Sequence, residues 1–187
     1  MGADETKMLL DAAAVAEAVQ ALVALVHHEF QGEALDELAL VGLQTRGVAL
    51  AERLAGALAG LNGGHRPLTG SLDISMHRDD IGLRENLTQI KETRIPFDVG
   101  GRRIVLVDDV LSTGRTVRAA LDAITDYGRP SLIRLAVLAD RGHREFPIQA
   151  DFAGAKLDVP PERRVFVRLA EVDGHDAVYS DTKKRRR

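Results

Sequence analysis

The chain has 187 residues, 45% of them hydrophobic and 28% charged, which is enough for a packed core and excludes wholesale disorder. It contains no cysteine, so disulfide frameworks, thiolate catalysis and cysteine-ligated zinc are excluded. The net charge is −3, but Lys183 to Arg187 alone carry +5, which leaves −8 on residues 1–182. So acidic a body does not bind nucleic acid by bulk electrostatics, and 4% aromatic residues make a poor stacking platform. The basic end reads as a solvated, disordered tail.

The N-terminus, MGADETKMLLD, is acidic and has no signal-peptide pattern. The longest apolar stretch, Ala12 to Val26, is interrupted by Glu17 and Gln20 and is too short to span a bilayer. A cytoplasmic location is expected.

Helical spacing of Val15, Val19, Leu22, Val26 and Phe30 predicts a helix over residues 8–30, apolar nearly all round and so expected to be buried on several sides, in this fold or against another subunit. Leu38 to Leu43 has strand length, and a helix over Val48 to Leu61 closes at Asn62-Gly63-Gly64. Residues 68–76 alternate as a half-buried strand does. Residues 77–95 carry many charges and few core candidates, the composition of a long mobile loop or extended hairpin.

Further on, Arg103 to Val107 and Leu132 to Leu138 read as buried strands, with a helix from Arg115 to about Tyr127 between them. A charged loop, Asp140 to Pro147, and a last strand, Val165 to Leu169, follow. No internal repeat or linker divides the chain, so residues 1–182 are expected to form a single domain, followed by the tail 183–187. Strands alternating with helices predict an α/β fold with a mostly parallel central sheet, covered on both faces. In such sheets ligands lie beyond the carboxyl ends of the strands, here residues 44–47, 108–116 and 140–144.

The strongest local signal is VLVDDVLSTGRT, Val105 to Thr116. An apolar strand ends in two carboxylates, and a turn of small and hydroxyl residues opens a helix. Thr113, Gly114, Arg115 and Thr116 can put N–H groups and hydroxyls around a phosphate at the helix N-terminus. Asp108 and Asp109 repel phosphate but suit ribose hydroxyls, magnesium, or a centre that gains positive charge during reaction. As a bare strand-turn-helix, the same acids would only cap the helix. No Gly-Lys-Ser/Thr is present, so this is not a Walker A loop.

VLVDDVLSTGRT resembles the phosphoribosyl-pyrophosphate signature of type I phosphoribosyltransferases. With LVGLQTRGVALAERL, GSLDISMHRDD, DAITDYGRP and LAVLADRGHREFPIQAD, roughly residues 9–175 are similar to the PyrR family, bacterial pyrimidine operon regulators that are also uracil phosphoribosyltransferases. The resemblance implies the type I fold with a small hood, and a magnesium-dependent reaction of uracil with phosphoribosyl pyrophosphate to give UMP and pyrophosphate. It gives the ribose and the developing cation to Asp108 and Asp109, and the 5′-phosphate to the turn Val110, Leu111, Ser112, Thr113, Gly114, Arg115 and Thr116. Thr45, Arg46 and Gly47 match the pyrophosphate loop, where Arg46 can donate a charge-assisted fork. Arg141 and the backbone around Val165 match the uracil-side wall, and His77, Arg78, Asp79 and Asp80 the start of a flexible lid.

The regulatory half of the resemblance implies UMP-dependent binding of pyrimidine operon leader RNA and a dimer or larger homo-oligomer. Thr45, His143 and Arg144 are retained from its RNA-contacting set, and Lys156 stands beside Ala155, where a lysine is usual. Gln20, Ala21 and Ala24 replace the usual threonine, arginine and histidine, and Gln149 replaces an arginine. Each lost phosphate contact removes a counterion-release contribution, so weaker RNA binding with a shallower salt dependence is expected. Ser112 and His77 stand where tyrosines are usual. An RNA-binding regulator with little catalysis, a transferase without RNA binding, and a purine-base transferase of the same fold are the alternatives. The DRGHRE and TRG segments match the pyrimidine regulators better than the last of these.

Overall fold

The computed structural model describes residues 6–31, 37–75 and 92–182. The lid segment His77 to Asp80 and the tail 183–187 lie outside the described residues. The elements in chain order are β1 (Lys7–Leu10), α1 (Ala12–Glu29), β2 (Leu38–Leu43), α2 (Arg46–Leu61), β3 (Leu68–Leu72), β4 (Arg103–Leu111), α3 (Arg115–Thr125), β5 (Leu132–Asp140), β6 (Phe152–Lys156), β7 (Arg163–Arg168), α4 (Ala170–Asp173) and β8 (Ala177–Thr182).

A five-stranded sheet, ordered β3-β2-β4-β5-β6, is parallel throughout. Alternate residues of each strand serve opposite faces. Leu38, Leu40, Val105 and Val107 pack with the buried stripes of α1 and α2 on one face. Ala39, Val41, Ile104 and Leu106 pack with Val117, Ala120 and Ile124 of α3 on the other. Both faces of the sheet are therefore covered, and each large aliphatic side chain so buried contributes about 1.5–3 kcal/mol. β1, β8 and β7 form a separate antiparallel sheet, the hood, in that order.

Two expectations change. The helix predicted from residue 8 begins at Ala12, because Asp11 accepts the Ala14 N–H at 2.9 Å as N-cap, and Lys7–Leu10 instead pair with β8. Within the chain α1 buries one stripe, Val15, Ala18, Val19, Leu22, Val23 and Val26. Half of its exposed residues are alanine and most of the rest are polar, with Leu25 the large apolar exception. Finally, β3 ends at Leu72 rather than at residue 76, and Ser71 bridges back to Arg94.

Candidate active site

β4 runs four residues beyond the strand predicted from hydrophobicity alone. Asp108 faces Val137, Val110 faces Ala139 and Leu111 faces Asp140 across the β4–β5 ladder. The acids are thus held on a strand inside the sheet. Asp108 is 7% exposed, and its Oδ1 accepts the Asp109 N–H at 2.9 Å. Burial pushes the Asp109 carboxyl above the usual range, against the opposing pull of the Asp108 hydrogen bond and the Arg46 charge.

The turn after β4 is fastened from behind. Gly114, the N-cap of α3, has φ +90°, a conformation glycine adopts without cost, and no side chain caps the helix. A Cβ there would also lie 3.2 Å from Phe146 Cβ. The Thr113 hydroxyl accepts the Arg115 N–H of the first turn at 3.4 Å, and the N-terminal end of a helix dipole favours negative charge. Thr113 O accepts from Glu145 N at 2.9 Å and Phe146 N at 3.0 Å, and Arg115 pairs with Glu145. Leu111 O accepts from Arg141 N at 3.1 Å.

The 44–47 loop approaches the same strand end. Gly47 packs so closely that a Cβ would fall 2.3 Å from Val107 O. Thr45 is the N-cap of α2, and the Gln44–Thr45 peptide is cis. Arg46 is forked onto Asp173 of the hood, Nε to Oδ2 at 2.8 Å and Nη2 to Oδ1 at 2.7 Å, and its charge reaches Asp109. Sequence reasoning missed Asp173: it lies 127 residues from Arg46, and no local pattern links them.

Arg141 is 5% exposed and ties the sheet to the hood, with Nη1 on Arg163 O at 2.7 Å and Nη2 on Pro160 O at 3.0 Å. Its buried Nε has no hydrogen-bond partner among the described residues, and burial pulls its pKa down. Val165, on β7 beside Arg163, is buried in the same join.

Of the residues assigned by resemblance to RNA, Lys156 is exposed at the end of β6. His143, at φ +59°, has Nε2 2.9 Å from Val159 O. Arg144 spends its guanidinium internally. It pairs with both oxygens of Asp140 and donates to Ser112 O at 2.9 Å, Gly142 O at 3.1 Å and Ile148 O at 2.8 Å.

Among the described residues no group of three or more His, Cys, Asp or Glu could cage a metal. The two adjacent carboxylates at the end of β4 would suit a hard divalent cation that keeps most of its waters.

The phosphoribosyl transferase domain model matches residues 5–168. The Bifunctional protein PyrR of Chloroflexus aurantiacus is 52% identical over 160 residues, covering 85% of this chain and 87% of its own. That of Deinococcus deserti is 51% identical over 165 residues, covering 87% and 90%. A solved hypoxanthine-guanine phosphoribosyltransferase from Bacillus anthracis superimposes with a TM-score of 0.69 at 15% identity, covering 95% of this chain and 98% of its own, a likeness of fold. A parallel sheet under an antiparallel hood, with the acid pair and turn at the end of β4, is thus accounted for: the chain belongs to the phosphoribosyl transferase family and, within it, to the PyrR proteins.

Proposed function

We propose that the protein transfers the phosphoribosyl group of phosphoribosyl pyrophosphate to uracil, giving UMP and pyrophosphate, and that it binds pyrimidine operon leader RNA in a UMP-dependent way. The observation that carries the catalytic reading is the meeting of three segments at the end of β4: the Asp108-Asp109 pair, the turn to Thr116, and the Gly47 contact that brings in Arg46. In the reaction the bond from the anomeric carbon to pyrophosphate breaks, a bond to a uracil nitrogen forms, and that nitrogen gives up its proton. Positive charge rises on the sugar in between, so carboxylates near the ribose and cations near the leaving oxygens are needed, more than a protein nucleophile.

Asp108 and Asp109 hold the ribose hydroxyls and oppose that charge. Val110 to Thr116 grip the 5′-phosphate, and Thr45-Arg46-Gly47 the pyrophosphate. Arg141 and the Val165 backbone wall the uracil side. Asp108 or Asp109, together with substrate oxygens, would hold a magnesium ion, which would supply charge neutralisation for the leaving pyrophosphate. The lid His77-Arg78-Asp79-Asp80 belongs to the same reading, as does a single domain over residues 1–182 with a basic tail. Phosphorylated substrates do not cross membranes unaided, which fits a cytoplasmic location. Among the described residues no helix is long and apolar enough to cross a membrane.

The test is UMP formation from uracil with and without phosphoribosyl pyrophosphate. Turnover should require it, and Thr113→Val should weaken both phosphoribosyl pyrophosphate and UMP, since both carry the 5′-phosphate. Turnover with hypoxanthine or guanine instead would reject uracil as the base.

The regulatory reading rests on the PyrR relatives and on Thr45, His143, Arg144 and Lys156, three of them around the 140s loop that clasps the phosphate turn. We propose a dimer or larger homo-oligomer that presents this edge more than once. A monomer of 20.3 kDa in sedimentation at micromolar concentration would end that part.

A further inference from the structure

We infer that Asp173, on the short helix of the hood, is a positioning residue for Arg46: it fixes the arginine side-on so that the remaining edge of the guanidinium faces the pyrophosphate. The inference rests on the reading of Arg46 as a pyrophosphate ligand. Arg46 meets Asp173 through Nε and Nη2, and Nη1 takes no part in the fork. A planar guanidinium held along one edge has its other edge aimed in one direction.

Asp173 is itself immobilised. Its side chain is 6% exposed, Arg168 Nη1 donates to Oδ1 at 2.7 Å, and Leu169 N–H donates to Oδ2 at 3.0 Å. These donors hold its carboxyl well below the usual carboxylate range, Arg46 being the largest contributor. The helix that carries it is pinned to α2 a second time, because Arg53 forks both Glu171 and Asp176. With the acceptor so fixed, the arginine must follow the acid. A free arginine side chain carries much rotamer entropy, and here that cost is met before any ligand arrives.

The opposite role, a latch from which pyrophosphate must pull Arg46 away, is disfavoured by the same geometry. Release would break two charge-assisted hydrogen bonds, the strong class of such bonds. Binding through Nη1 leaves both intact. The pairing also carries information between distant parts of the chain, since a hood residue sets the geometry of the loop before α2.

The experiment titrates magnesium pyrophosphate and, separately, UMP into wild type, Asp173→Asn, Arg46→Ala and the double variant by calorimetry. Asp173→Asn should weaken pyrophosphate about tenfold, the loss expected when one charge-assisted contact is misaligned. UMP affinity should not change. The KM for phosphoribosyl pyrophosphate should rise with kcat nearly constant, and the double variant should bind pyrophosphate no more weakly than Arg46→Ala. Unchanged or tighter pyrophosphate binding by Asp173→Asn, while Arg46→Ala loses it, overturns the positioning role and leaves the Arg46 reading intact. If Arg46→Ala itself binds pyrophosphate normally, the reading of Arg46 fails and the inference with it. Should Asp173→Asn not fold, Arg46→Lys decides: it keeps the charge without the side-on fork, and wild-type pyrophosphate affinity in it overturns the proposal.

Discussion

Asp109 and Asp173 both act on Arg46, yet their surroundings treat them in opposite ways. Asp109 lies at the end of a strand whose burial pushes its carboxyl up, and the hydrogen bond from Asp108 and the charge of Arg46 offset only part of that. Asp173 lies in the hood, where two arginines and a backbone N–H hold its carboxyl down. The carboxyl end of the parallel sheet keeps an acid under electrostatic load. In the hood and the 140s loop the charges are used up on one another, as Arg53 with Glu171 and Asp176 and Arg144 with Asp140 show. A site meant for a ligand stores unfavourable electrostatics that a scaffold removes.

The largest effect that can break this comparison is catalytic. Replacing Asp108 and Asp109 together by Asn should slow UMP synthesis by about two orders of magnitude or more, the usual cost of losing transition-state electrostatics. The fold should survive, because the acids sit on a ladder that their side chains do not hold together. Wild-type turnover in a folded double variant would remove the carboxylates from the mechanism.

The second effect is on stability, and its sign differs between the two acids. A carboxyl whose folded pKa is raised contributes stability that is present below the ordinary carboxylate value and lost as pH rises through the folded value. At neutral pH Asp109 therefore costs stability, and Asp109→Asn should raise it by about 1 kcal/mol. A carboxyl whose folded pKa is lowered contributes stability present above the ordinary value, near 3.9, and lost as pH falls through the folded one. Asp173→Asn should therefore cost about 1–3 kcal/mol at neutral pH. Thermal melts at pH 7 should rank Asp109→Asn above wild type and wild type above Asp173→Asn, and the gaps should close on acidification. The same sign for both substitutions would show that the two acids are not differently placed.

The two regions also differ in how far the sequence reveals them. Strand, acids, turn and helix follow one another from Val105 to Thr125, so local patterns located them and the resemblance gave them roles. The parallel sheet was legible because its strands are runs of buried aliphatics. The hood was not. β1 has four residues whose apolar positions blend into the period of the helix behind them, and the polar alternation of β8, AVYSDT, gives a weak signal. β6 was missed as well, since FAGAK is rich in glycine and alanine and short. The Arg46–Asp173 fork joins residues far apart in sequence, and the partners of Arg144 are mostly backbone carbonyls, which any residue supplies.

The smallest effect concerns RNA and sharpens the contrast at Arg144. A side chain that contacts phosphate releases counterions on binding, and its loss lowers the salt slope by about 0.7–0.9. Arg144 already donates to Asp140, Ser112, Gly142 and Ile148, so its contribution to an RNA site is the shape of the loop that carries His143. Leader RNA should bind more tightly with UMP present. Arg144→Ala should weaken that binding while leaving the slope of log affinity against log salt nearly unchanged. Exposed Lys156 is the opposite case, and Lys156→Ala should lower the slope by about one phosphate contact. Deleting residues 183–187 separates both from tail electrostatics, because five positive charges can hold RNA without any loop. If the deletion abolishes binding while Arg144→Ala and His143→Ala change nothing, the 140s loop serves the turn after β4 alone. If Arg144→Ala lowers the slope as Lys156→Ala does, its guanidinium leaves Asp140 for the RNA, and the internal clasp opens on binding.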